Sequence, residues 1–317
     1  MRILITGSSG QIGTNLGLRL LDEGHFVFGV DVRSNTWTDR LETLLQDLST
    51  PYRDFACGIG QAEYPPRLDC VVHLAAHAKV HELVEHPERA LENITMTFNV
   101  LEFCRQHRVP IIFSSSREVY GDIHRYITEE SHADFAFTES PYSASKISGE
   151  ALVYSYAQCY DLPYLILRFS NVYGRYDNDI ERMERVIPLF IRRISRSEPI
   201  VVYGKDKVLD FTYVDDCVDG ICRGIELLAS GRDKNHTINL AYGEGSSLLT
   251  MAGYVGETLG VAPNMTVEES RVGEVTHYVA NIGKARALLG YSPRTPLREG
   301  IEKAVAWSTN WWAGHGE

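Results

Sequence analysis

The chain has 317 residues, 44% of them apolar, and carries 31 Lys and Arg against 42 Asp and Glu, a formal net charge of −11. Such a length suits about two domains, or one large α/β unit with an appended lobe. The acidic balance argues against a general nucleic-acid or anionic-membrane binder, whose affinity comes from phosphate contacts. No run of about 18 apolar residues occurs, so no transmembrane span is expected. The opening Met1-Arg2-Ile3-Leu4-Ile5-Thr6-Gly7 reaches a glycine too soon for the apolar stretch of a signal peptide. Six cysteines without a CxxC pair fit reduced thiols, and a cytoplasmic location is expected.

Short β-rich apolar runs alternate with amphipathic stretches through the first half, the signature of βαβ units and a parallel sheet. Strands are predicted at Arg2–Thr6, His25–Asp31, Cys70–Leu74, Ile111–Ser114 and Tyr164–Phe169, with helices near 11–23, 85–107 and 142–160. Beyond about residue 175 the pattern is less regular, with helices near 184–196, 215–229 and 248–259, a strand at Thr237–Leu240 and a frayed tail at 314–317. The expected fold is a Rossmann-type doubly wound parallel sheet with a smaller interleaved α/β substrate lobe. Residues 1–174 would form the cofactor domain, with a return near 208–230, and 175–317 mainly the substrate lobe.

The first strand runs into Gly7-Ser8-Ser9-Gly10-Gln11-Ile12-Gly13 and then a helix. Glycines there permit a tight turn and close backbone approach to a pyrophosphate, which the helix N-terminus would bind. Gly7, Gly10, Gln11, Ile12 and Gly13 are therefore candidate cofactor contacts, although GxxGxxG departs from the GxGxxG spacing. Asp31 ends the second strand, where a carboxylate would accept the ribose hydroxyls of NAD and repel a 2′-phosphate. Arg33 lies close enough to soften that preference.

Ile111-Ile112-Phe113 leads into Ser114-Ser115-Ser116, placing hydroxyls at the C-terminal edge of a parallel strand, where ligands bind in open α/β sheets. Tyr142 and Lys146 follow in a helix opened by Pro141. At about 100° per residue they lie about 40° apart, while Ala144, Ile147, Ala151 and Tyr154 form an apolar stripe about 100° or more from Lys146, so the pair is not expected on the core face. A neighbouring ammonium would lower the pKa of the phenol and suit it to act as a base.

The full ordered set resembles the extended short-chain dehydrogenase/reductase family, in particular its NAD-dependent nucleotide-sugar epimerases and dehydratases, over nearly the whole chain. The residues that carry the resemblance are Thr6-Gly7-x-x-Gly10-x-x-Gly13, Asp31, Asp69-Cys70-Val71-Val72-His73-Leu74-Ala75-Ala76, Ser114-Ser115-Ser116-x-x-Val119-Tyr120-Gly121, Tyr142-x-x-x-Lys146, Arg168-Phe169-x-Asn171-Val172-Tyr173-Gly174 and Asp210-Phe211-Thr212-Tyr213-Val214-x-Asp216. The resemblance implies that Tyr142 takes a sugar hydroxyl proton while NAD takes the hydride, that Lys146 binds the nicotinamide ribose, and that Ser116 holds the reacting oxygen. By the same resemblance Asp54, Leu74, Ala75, Ala76 and Asn93 would meet the cofactor, and Asn171 and Arg271 the nucleotide diphosphate. A nucleotide-sugar substrate, a 4-keto intermediate, internally recycled NAD and a homodimer through helices 85–107 and 142–160 are likewise implied.

Arg117-Glu118 stands where the 4,6-dehydratases of the family have Asp-Glu. Glu118 is suited to take a C5 proton acidified by a 4-ketone, which makes a dehydratase or decarboxylase the alternative to a 4-epimerase. Arg117 cannot donate a proton as that Asp would. It would pair with a uronate carboxylate if it faces the site, or with a surface acid if it does not. Leu209 occupies the place of the family's usual diphosphate Arg, with Lys205 or Lys207 as possible substitutes. His77, His81 and His86 have poor spacing for a shared ion, and no metal is expected; Arg185, Arg192, Arg193 and Arg196 read as the polar edge of an amphipathic helix. An NAD(P)H-dependent reductase of a non-sugar carbonyl is a further alternative, and the presence of both Tyr142 and Lys146 argues against a non-catalytic NAD sensor.

Overall fold

The computed structural model describes residues 1–51, 67–122, 127–177, 185–270 and 275–315. Its elements in chain order are β1 (Arg2–Thr6), α1 (Gln11–Asp22), β2 (Phe26–Asp31), β3 (Thr43–Leu45), β4 (Cys70–His73), α2 (Val80–Glu85), α3 (Glu88–His107), β5 (Ile111–Ser116), α4 (Pro141–Tyr160), β6 (Tyr164–Phe169) and β7 (Asn171–Tyr173). The second half adds α5 (Val186–Ser195), β8 (Ile200–Tyr203), β9 (Val208–Tyr213), α6 (Val214–Ser230), β10 (His236–Leu240), β11 (Gly245–Ser247), α7 (Leu248–Leu259), β12 (Met265–Glu268), β13 (His277–Tyr278), α8 (Gly283–Leu289) and α9 (Leu297–His315).

A parallel seven-stranded sheet runs β10-β6-β5-β4-β1-β2-β3. Its central strands are apolar and buried on both faces, as sheets covered by helices on each side require. Strand order reverses beside β1, whose Thr6 is paired with Val30 of β2 on one side and His73 of β4 on the other. The turn leaving β1 therefore opens at the crevice where doubly wound sheets bind ligands. Thr6 Oγ1 and His73 Nδ1 lie 2.7 Å apart and fasten the two strands, and burial pushes the imidazole pKa down to about 3, so this histidine is a neutral core residue.

The chain re-enters the large sheet late. Strand β10 pairs with β6, and α6 packs against α1, so the two halves of the sequence are threaded through one another. A smaller sheet of β11, β9, β13 and β7 and a two-stranded β8–β12 pair complete the structure.

The helix expected over 85–107 is divided at Pro87, which caps α3 and separates it from α2. The expected orientation of the 142–160 helix is reversed. Tyr142, Lys146, Gly149, Glu150 and Val153 are buried, whereas Ala144 and Ala151 of the apolar stripe are exposed. The cause is tertiary: Gly149 lies so close to β5 that a Cβ there would stand 2.4 Å from Cζ of Phe113, and this contact turns the Tyr142–Lys146 face inward. Ser140 and Ser143 fix the start of the helix by reciprocal hydrogen bonds, with Pro141 in its first turn.

Candidate active site

A cleft of about 600 Å³ runs along the C-terminal ends of β1, β4 and β5. Gly7, Gly10, Gln11, Ile12 and Gly13 line one end, Leu74, Ala75 and Ala76 its wall, and Ser116, Tyr142, Lys146 and Asn171 the other end. Thus sequence positions spread over the first half of the chain meet in one crevice.

The glycine turn is a cradle that side chains would fill. Gly7 has φ +72°, and a Cβ on Gly13 would stand 2.2 Å from the carbonyl oxygen of Gly7. Asp31 accepts the Ser9 amide at 2.9 Å and the Arg33 amide at 3.2 Å, while Arg33 donates to the Ser9 carbonyl at 2.9 Å. The acid is thus held at the mouth of the turn, and the arginine is tethered to it. Nε2 of Gln11 is buried with no hydrogen-bond partner among the described residues, a donor suited to a ligand oxygen. These features fit an extended dinucleotide whose pyrophosphate lies on backbone amides.

At the other end, Ser116 finishes β5, its hydroxyl accepts the Glu118 amide at 3.2 Å, and its side chain acts on the phenol of Tyr142 to lower its pKa. Lys146 donates from Nζ to the Ser114 carbonyl at 2.8 Å, and its ammonium is 5.8 Å from the centre of the Tyr142 ring. Burial pushes Lys146 down to about 8, with Glu150 opposing the change. The expected lowering of the Tyr142 pKa is not found in the chain alone: burial, the largest cause, pushes the phenol up to about 12, against the hydrogen bond from Ser116 and the charges of Arg185 and Arg117. Beneath this group, Glu150 grips Arg168 at 2.8 and 2.6 Å and accepts the Ser115 hydroxyl at 2.5 Å. This buried pair rivets α4 to β5 and β6.

Arg117 faces the cleft and not a surface acid. Its guanidinium lies 2.9 Å from Oε1 of Glu118, and both side chains are nearly buried. Asn171 lines the cleft and donates to the Asp210 carbonyl at 2.9 Å. Asn93 stands behind the wall, holding both backbone groups of His77 and the Ser145 hydroxyl. Asp54 and Arg271 lie outside the described residues.

Sequence reasoning missed Arg185. It precedes α5 and lines the cleft, bonded to Oε1 of Gln11 and, at 2.9 Å, to Asp177. Its place beside apolar helix residues disguised it, and only its position at the start of α5 could have singled it out. Lys205 and Lys207 are not among the residues lining the cleft. His77 pairs with Glu92, His81 with Glu85 and His86 with Glu88, and no group of three metal-ligating side chains occurs among the described residues.

The parallel sheet, the glycine turn at its switch point and the Ser-Tyr-Lys group define a dinucleotide-dependent enzyme of the short-chain dehydrogenase/reductase type. Comparison with known families is specific: residues 3–241 match the NAD dependent epimerase/dehydratase family, and the chain belongs to it. The UDP-glucuronate 4-epimerase 1 of Arabidopsis thaliana is 31% identical over 96% of this chain and 76% of that protein. Among solved structures, the UDP-glucose 4-epimerase of Thermotoga maritima with UDP-glucose superposes with a TM-score of 0.87 at 28% identity, covering 98% of this chain and 99% of that one. The UDP-glucuronic acid 4-epimerase of Bacillus cereus, in complex with UDP-glucuronic acid and NAD, gives 0.84 at 26% identity, covering 98% of this chain and 100% of that one.

Proposed function

We propose that this NAD-dependent enzyme is a 4-epimerase of a UDP-sugar, either a UDP-hexose or a UDP-uronate. The observation that carries the reading is the convergence of Ser116, Tyr142 and Lys146 at one end of the cleft, with the glycine cradle at the other. NAD, when bound, supplies a hydride acceptor and donor for one sugar carbon and, in its oxidised form, a positive ring charge. Tyr142 takes the proton of the C4 hydroxyl and later returns it, while Ser116 holds the same oxygen. Lys146, anchored on Ser114, keeps a positive charge near the phenol and favours its ionised form. C4 would be inverted by hydride returning to the opposite face of the 4-keto carbon, with Tyr142 returning the proton to its oxygen.

A dehydratase or decarboxylase is the second reading, favoured by the presence of Glu118 in the cleft. Loss of water needs a C5 base together with an acid, and loss of carbon dioxide needs a proton for C5. Glu118 is engaged by Arg117 at 2.9 Å, and Arg117 offers no acid in its own place, so the acid that loss of water needs is missing beside it. The epimerase reading therefore stands first.

On the substrate side we assign the diphosphate to Asn171, Arg271 and Arg185, the last supplying charge that Leu209 does not. Residues 1–174 with α6 and β10 would serve the cofactor and the remainder the sugar nucleotide. A homodimer through α3 and α4 is supported by Leu91 and Phe98, which are 67% and 41% exposed on α3, and by the exposed Ala144 and Ala151 of α4. A cytoplasmic location is supported by the free thiols of Cys70, Cys104, Cys159, Cys217 and Cys222.

The test is incubation with UDP-glucose, UDP-galactose, UDP-glucuronate, UDP-galacturonate and dTDP-glucose, with products read by NMR. Inversion at C4 without net consumption of added NADH is expected; loss of water or carbon dioxide would select the second reading, and stoichiometric NADH oxidation would point to a reductase.

A further inference from the structure

We infer that the sugar subsite selects a uronate, with Arg117 as the residue that recognises the carboxylate on C5. This deepens the epimerase reading, on which it rests for the position of C4. Arg117 follows directly on Ser116, the residue assigned to the C4 oxygen, and lines the cleft with its side chain 12% exposed. One terminal nitrogen, Nη2, is committed to Glu118 at 2.9 Å. The other, Nη1, is buried and has no hydrogen-bond partner among the described residues.

A guanidinium cannot shed its charge to relieve such a position, and a buried donor without an acceptor is costly. Its complement is an acceptor that arrives with the substrate. Of the two carbons flanking C4, C5 is the one that carries a charged group in a uronate, and a carboxylate presents two oxygens to the edge of a guanidinium where a hydroxymethyl presents one weaker acceptor.

The surrounding charge agrees. Arg117 and Glu118 cancel as a pair, Asp177 is matched by Arg185, and Lys146 remains as a net cation at this end of the cleft. Glu118 is the largest charge that reaches Tyr142, and Arg185 and Arg117 oppose it, so cations stand beside the reacting carbon for a carboxylate to meet. Asp210, on which Arg117 also acts, is pushed up to about 7 by burial and so carries only part of a negative charge near neutrality. Glu118 thus has a positioning role: it holds one edge of Arg117 and leaves the other for the substrate.

The experiment measures binding of UDP-glucuronate and of UDP-glucose to the NAD-loaded protein by calorimetry, alongside turnover. Wild type is expected to prefer UDP-glucuronate by about tenfold or more in Kd. Arg117→Lys should narrow the ratio, because one ammonium cannot serve two carboxylates in a planar fork. The double variant Arg117→Met/Glu118→Gln removes both charges without stranding a buried carboxylate, and should bring the ratio near one while circular dichroism confirms the fold. Equal affinities in the wild type, or a preference that survives the double variant, would overturn the inference. A binding preference without C4 inversion would sink the epimerase reading and leave this one standing; C4 inversion with no preference would do the reverse.

Discussion

Tyr142 is the residue on which the chemistry turns. Replacing it with Phe removes only a hydroxyl on the cleft, so the fold should persist while kcat falls by about 10²–10⁴, the usual worth of a positioned acid–base group. Stopped-assay product NMR would read the loss; turnover retained in full would refute the assigned base. Asp210 gives a pH prediction of the opposite kind, in stability. Its carboxyl accepts the amides of Tyr242, Gly243 and Ala280 but is pushed up to about 7, chiefly by burial. The folded state then holds a proton that the unfolded state releases near pH 4, so this group erodes stability as pH rises from about 4 to about 7. Asp210→Asn removes the erosion. Its Tm relative to wild type is expected to be lowest at about pH 4 and to rise until about pH 7, and a difference constant with pH would count against the shifted carboxyl.

At the scale of elements, the strand-to-glycine turn and the Tyr-x-x-x-Lys helix were legible because each carries a local signature: residues that only a tight turn or a helix start explains. The facing of α4 was not. Its apolar stripe pointed to a buried Ala144–Ala151 side, yet the core took the side bearing Lys146 and Glu150, because Arg168, Ser114 and Ser115 on neighbouring strands satisfy those groups. Local periodicity cannot see partners supplied by residues far along the chain. The short strands β3, β7 and β11 were invisible for the same reason, since three residues have no period to read. Close packing of α4 makes its own prediction. Gly149→Val should force α4 from Phe113, lowering stability by about 1–3 kcal/mol and reducing kcat by moving Tyr142 away from Ser116; chemical denaturation and kinetics on the same sample would check both. Unchanged activity would mean that this contact does not set the site.

For the whole molecule, the exposed side of α3 and α4 carries the assembly prediction. A Leu91→Glu/Phe98→Glu double variant places two charges on the proposed face, and light scattering should find a monomer where the wild type is a dimer. A monomeric wild type would dispose of the interface. The sequence revealed the sheet and the identity of most cleft residues, while the interleaving was clear only in outline, because the return of β10 to β6 is a long-range pairing. Arg185 shows the cost of reading charge by neighbourhood: surrounded by apolar residues, it resembled a helix edge until tertiary structure set it against Gln11.

The late helix α9 brings Trp307 and Trp311 against Trp37 of the segment after β2, with Tyr176 completing the cluster. The chain has four tryptophans, so most of its indole emission arises where the end of the sequence meets the neighbourhood of Asp31. The protein consequently carries a built-in optical gauge. Any ligand that shifts the β2 loop against α9 should change emission intensity or colour without a label, and a Trp37→Phe variant identifies how much of that signal comes from this seam.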